Sequence, residues 1–99
     1  MIDFPEFKTA CQFDKPIFFA RQYNFNTNPS YFYKAKGYTE EGLVYGVEVT
    51  CIKDEDIVNI RIFTLEPDLF NNYPLGKYFL ITEEEYEDAF SKTIKILKE

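Results

Sequence analysis

Residues 31–65 read YFYKAKGYTEEGLVYGVEVTCIKDEDIVNIRIFTL, three runs of β-branched and aromatic residues separated by two short polar breaks. Runs of this composition and length, bounded by turn residues, specify antiparallel strands joined by hairpins. The first break, Glu40-Glu41-Gly42, predicts a three-residue loop with Gly42 in the left-handed conformation, because a residue without Cβ takes positive φ there at little cost. Thr39 then faces Leu43, and counting away from the turn pairs Ala35 with Val47, Tyr33 with Val49 and Tyr31 with Cys51. The second break, Lys53 to Asp56, predicts a four-residue loop that sets Ile52 opposite Ile57. Cys51 then pairs with Val58, Val49 with Ile60 and Val47 with Ile62. Both turns place the same apolar set on one face. A slip of one residue in either would send that set into water.

On the other face the same register aligns Lys34, Glu48 and Arg61 as a cation, anion, cation row. Such a row is ordinarily a ladder of cross-strand pairs, each contributing a few tenths to about 1 kcal/mol. As a general acid or base Glu48 is disfavoured, because two flanking cations lower a carboxyl pKa and weaken it as a base near neutrality.

The remaining segments fit around this sheet. Ile17 to Phe25 is aromatic-rich and lies between Pro16 and the turn-forming run Asn26-Thr27-Asn28-Pro29-Ser30, which predicts a further strand whose buried face stays open. Glu66 to Gly76, with Pro67, Pro74 and Asn71-Asn72, reads as a connecting loop, and Lys77 to Ile81 as a short fifth strand. From Thr82 the period changes from two to about 3.6, with Tyr86, Ala89, Phe90, Thr93, Ile94 and Leu97 on one stripe. Thr82 and Glu85 form a capping box, Glu83, Glu84, Glu85, Glu87 and Asp88 crowd the start of the helix, and Lys92, Lys95 and Lys98 lie toward its end, in the order the helix dipole favours. Near the N-terminus, Asp3, Pro5 and Glu6 carry the signals of a short capped helix with Phe4, Phe7, Ala10 and Cys11 near one side, against the alternative of an irregular arm. The expected fold class is α+β: one domain over residues 1–99, an antiparallel sheet of four or five strands in meander order, and a C-terminal amphipathic helix packed on one face.

Composition narrows the chemistry. At 99 residues the chain suffices for one two-layer core. It contains no histidine, so Ser-His and Cys-His nucleophile pairs cannot be assembled and zinc or haem-attachment patterns are excluded. Ser30 and Ser91 lie in a turn and on the helix, neither in a nucleophile elbow, and the four glycines, Gly37, Gly42, Gly46 and Gly76, make no phosphate-binding loop. Cys11 and Cys51, forty positions apart, read as two buried thiols. Asp54-Glu55-Asp56 lacks the ligand spacing and turn glycine of a calcium loop and reads as a solvated hairpin tip. No run is long enough to span a bilayer, and Asp3, Pro5 and Glu6 do not resemble a secretory leader, so the expectation is a cytoplasmic protein, of a microbial cell or of a host cell that a virus or mobile element has entered. No enzyme activity, cofactor, metal, membrane or small-molecule substrate is expected.

Binding is left, and the charge is unevenly spread. Residues 17–38 hold Arg21, Lys34 and Lys36 with no acid and eight of the nineteen aromatics, whereas residues 39–56 carry six acids against Lys53 alone. The net charge of −6 suits a basic protein partner better than a polyanion. The favoured expectation is a non-catalytic protein-binding module, an acidic inhibitor or antagonist of a basic, nucleic-acid-handling protein, with Glu40, Glu41, Asp54, Glu55, Asp56, Glu83 and Glu84 as docking residues. Toxin-immunity proteins and phage inhibitors of host defence share this composition as an analogy. The alternative is single-stranded nucleic-acid binding on the open sheet face, with Phe32 and Tyr38 stacking bases between Lys34, Lys36 and Arg61. The order of four strands and then a helix, from Ile17 to the C-terminus, resembles the repeat unit of PUR-type nucleic-acid-binding domains. That resemblance implies nucleic acid as ligand and pairing in a homodimer, and it carries over no residues.

Overall fold

The computed structural model describes residues 2–22, 29–52, 57–68 and 78–98. Five strands, β1 (Cys11–Gln22), β2 (Pro29–Tyr38), β3 (Val44–Ile52), β4 (Ile57–Leu65) and β5 (Tyr78–Leu80), precede one helix, α1 (Glu83–Leu97). The sheet is antiparallel throughout, in the order β4-β3-β2-β1-β5. Strands β1 to β4 form a meander, and β5 returns to lie beside β1, where Phe19 faces Leu80 and Arg21 faces Tyr78. The α+β class and the C-terminal helix on one face are as expected.

The two hairpins fare differently. Between β3 and β4 the register runs unbroken from Val44–Leu65 to Ile52–Ile57, with Cys51 opposite Val58, Val49 opposite Ile60 and Val47 opposite Ile62, as expected. The β2–β3 turn also forms as expected: Gly42 has φ +82°, and the Thr39 amide donates to the Leu43 carbonyl at 2.8 Å. Beyond it the expected pairing fails. Tyr38 faces Val44 and Gly37 faces Tyr45, but Ala35 faces Gly46, so Lys36 is an extra residue bulged out of β2. Every residue before Lys36 is shifted by one: Tyr33 faces Glu48 rather than Val49, Lys34 faces Val47, and Tyr31 faces Thr50 rather than Cys51. The backbones pack too closely there for side chains, since a Cβ on Gly46 would fall on the Lys34 carbonyl oxygen and one on Gly37 on the Cys11 carbonyl oxygen.

This bulge turns β2 over relative to β3. The face under α1 holds Val47, Val49, Cys51, Val58 and Ile60 as expected, but β2 contributes Phe32 and Lys34 to it. Phe18 and Ala20 of β1 share that face, and Phe18 meets Tyr86 of α1 with ring centroids 5.4 Å apart. The helix buries Tyr86, Ala89 and Thr93, while Leu97, at the end of the expected stripe, is exposed. Its start is as expected: the Glu85 amide donates to Thr82 Oγ1 at 3.0 Å and the Thr82 amide donates to Glu85 Oε1 at 3.1 Å.

Tyr31, Tyr33 and Ala35 instead point to the opposite face, together with Ile17, Phe19, Tyr38, Val44 and Phe63. Phe19 and Tyr33 stack there at 4.7 Å, and Phe63 meets both rings edge-on. A ring so enclosed is worth about 3–5 kcal/mol by large-to-small substitution. Both faces of the sheet are therefore covered, which explains why the two sides of the Ile17–Phe25 segment look equally apolar: Phe19 and Ala20, on opposite faces, are both fully buried.

The cover on the second face is the N-terminal segment, which has no helix or strand over residues 2–10 and so forms the irregular arm, the alternative to a short capped helix. Ile2 is buried and Phe4 half-buried, and both side chains pack into the core of this face. Phe4 packs on Phe13 and Phe19, Phe7 on Tyr38, and the Tyr38 hydroxyl donates to the Pro5 carbonyl. Strand β1 starts earlier than its composition suggests. Gln12 faces Gly37 and Ile17 faces Ala35, so residues 13–16 loop out and deliver Phe13 onto Tyr38 at 5.2 Å. The cysteines are not both buried: Cys11 is exposed and Cys51 half-buried.

Candidate functional site

The register places a polar group in the middle of the face opposite α1. Glu48, on the central strand β3, lies between Tyr33 of β2 and Arg61 of β4. Its residue is only 4% exposed. Arg61 Nε donates to Glu48 Oε1 at 2.6 Å, while the Arg61 side chain stays 63% exposed. Tyr33 faces Glu48 from the neighbouring strand. Burial first, and then the Glu48 charge, push the Tyr33 phenol far above its ordinary range, so it stays a neutral donor. The hydrogen bond to Glu48 raises the Arg61 guanidinium further above its usual value.

Arg21, on β1, completes the group. Its guanidinium lies 4.2 Å from the centre of the Tyr31 ring and 5.9 Å from that of Tyr78. Arg21, Tyr33, Glu48, Arg61, Phe63 and Tyr78 line a cleft of about 350 Å³. The expected row of cation, anion and cation does not form: Tyr33 takes the place beside Glu48 that the expected register gives to Lys34, and Arg21 lies one strand further on, opposite Tyr31. The group holds charge in place: Glu48 is paired with Arg61, and neither a guanidinium nor a phenol raised as far as that of Tyr33 exchanges protons near neutrality.

The residues named for nucleic-acid binding do not share a surface. Phe32 and Lys34 lie on the α1 side, where the Lys34 ammonium is 6.0 Å from the Phe18 ring centre. Lys36 is exposed on the bulge, Tyr38 is buried under the N-terminal segment, and Arg61 stands on the opposite face beside Glu48. The acidic docking residues are distributed otherwise. Glu40 and Glu41 are exposed at the β2–β3 turn, and Glu83 and Glu84 are exposed in the first turn of α1. Asp54, Glu55 and Asp56 lie outside the described residues. Among the described residues the ion pairs are Arg61–Glu48 and Lys92–Asp88, so Glu40, Glu41, Glu83 and Glu84 are not neutralised there. Among the same residues no three acidic or cysteine side chains come together as a metal site, and no helix is long and apolar enough to cross a membrane.

Tyr33, beside Glu48, escapes the sequence reading because the bulge escapes it, and Arg21 lies on a strand whose buried face that reading leaves open. The signal was present in Gly37 and Gly46, glycines inside strand-like runs, which mark a bulge or a close backbone approach. No family model, no curated protein and no solved structure matches this chain.

Proposed function

We propose that this chain is a protein-binding module that docks on a basic surface of its partner, acting as an acidic inhibitor or antagonist, with a nucleic-acid-handling protein as the partner class. One observation carries it: the acids of the β2–β3 turn and of the first turn of α1 stand exposed without a neutralising ion pair among the described residues. Solvation accounts for any single one of them. Together, on a chain of net charge −6, they give a field that accelerates encounter with a positive surface and disfavours acidic competitors. The nucleic-acid alternative lacks comparable support, because Phe32, Lys34, Lys36, Tyr38 and Arg61 are spread over different faces.

The test is charge reversal. Changing Glu40, Glu41, Glu83 and Glu84 to Lys touches exposed positions, so the fold stays intact by circular dichroism while association with the basic partner slows and loses its salt dependence. Retention of the same partner at the same rate by this variant would exclude these acids as the docking surface. Saturable, salt-sensitive binding of single-stranded DNA or RNA by the unaltered protein would favour the alternative.

A further inference from the structure

The two edges of the sheet are unlike. One is β5, three residues long. The other is β4, nine residues with the sequence IVNIRIFTL, which contains no proline, no lysine and no glycine. Its nine successive pairs with β3 leave it without a bulge. Natural sheets protect an edge with shortness, charged side chains, proline, bulges or a covering segment; β5 is protected by its length, and β4, among the described residues, by one charge alone. Its single charge, Arg61, is turned to Glu48 of its own chain. On the α1 side of the same strand Ile62 is 80% exposed.

We propose that β4 pairs with β4 of a second copy of this chain, antiparallel, with the two-fold axis at Ile62, joining two sheets into one of ten strands. This goes beyond the docking of a basic partner and does not depend on it. The strand is self-complementary in that register. Ile62 meets Ile62 of the second copy, which covers the exposed side chain, while Arg61 faces Phe63 and Ile60 faces Thr64 across the axis. No like charges oppose each other. Moving the axis by one residue, to Arg61, sets two guanidinium groups directly opposite, which disfavours that alternative. With an even register the two α1 helices lie on the same side of the joined sheet.

Sedimentation equilibrium over a protein concentration series tests this. The expected result is a mass that rises with concentration from the chain's 11.8 kDa toward twice that value. Ile62→Lys, at a position already in solvent, keeps the circular dichroism spectrum and abolishes the rise, because it sets two ammonium groups on the axis. Amide exchange along β4 slows with concentration in the unaltered protein and not in the variant. A chain that stays monomeric at every concentration would overturn self-pairing and leave the edge to a strand from another protein. A dimer that survives Ile62→Lys unchanged would overturn this register and place the interface elsewhere.

Discussion

The Glu48–Arg61 pair predicts an asymmetry between two single substitutions. Arg61→Ala strands a carboxylate that is 4% exposed and removes the hydrogen bond described above for it. Removing one partner of a fully buried ion pair costs about 3–5 kcal/mol. Here the guanidinium is 63% exposed, so water can take its place, and the expected loss falls to about 2 kcal/mol. Glu48→Gln leaves a neutral side chain of the same shape that can still accept from Arg61, whose exposed guanidinium is free to hydrate, so about 1 kcal/mol is expected. For a domain of this size each kcal/mol shifts Tm by about 4–8 °C. Arg61→Ala should then lower Tm by roughly 8–16 °C and Glu48→Gln by roughly half as much. The double substitution should cost less than the sum, with a coupling of about 1 kcal/mol. Urea denaturation followed by far-ultraviolet circular dichroism, at one protein concentration for all four proteins, measures the cycle. A Glu48→Gln loss equal to or larger than that of Arg61→Ala, or additive losses, would refute the placement of a buried carboxylate between Tyr33 and Arg61.

Three further outcomes follow from particular positions. Gly42→Val should cost about 1–2 kcal/mol in the same denaturation assay, because a β-branched residue must adopt φ +82°; an unchanged midpoint would contradict the left-handed turn. Thr93→Val should be neutral or stabilise by up to about 1 kcal/mol, since Thr93 is fully buried and its Oγ1 has no hydrogen-bond partner among the described residues; a clear loss would show that the hydroxyl is engaged. The Tyr86 phenol is pushed up to about 12 by burial and, second, by Glu87. A folded pKa above the ordinary value of 10.0 favours the neutral phenol in the folded state. Stability from this group is therefore complete below pH 10 and is lost as pH rises toward about 12, with the buried Tyr33 adding to the loss in the same direction. Phenolate absorbance in the unaltered protein and in Tyr86→Phe checks it, and a phenol at 86 that ionises at the ordinary value of 10.0 would contradict its burial against Phe18.

What the sequence made legible was whatever rests on local chemistry. The Gly42 turn, the β3–β4 register and the Thr82–Glu85 cap each depend on residues close in the chain, and each forms as its residues specify. What it hid depends on one inserted residue. Counting from the Gly42 turn assumes an unbroken ladder, and Lys36 breaks it, so Tyr31, Tyr33 and Ala35 change faces and Lys34 loses its place beside Glu48. The N-terminal segment shows a similar competition. Asp3, Pro5 and Glu6 are helix signals of a few residues only, but an irregular arm brings Ile2 and Phe4 onto the aromatic face formed by Phe19, Phe13 and Tyr38, and tertiary burial outweighs a weak local preference. The acidic residues were legible as exposed for the plainest reason, that they lie in a turn and in the first turn of a helix.

The central functional claim is that the acidic surface recognises a basic protein. Its most direct test is affinity capture from cells in which the protein acts, with the unaltered chain and the Glu40, Glu41, Glu83 and Glu84 to Lys variant side by side. The account predicts a protein with a positively charged surface that the unaltered chain retains at low salt and releases at high salt, and that the folded variant fails to retain. Retention of the same protein by both chains, or of nucleic acid in place of protein, would contradict it.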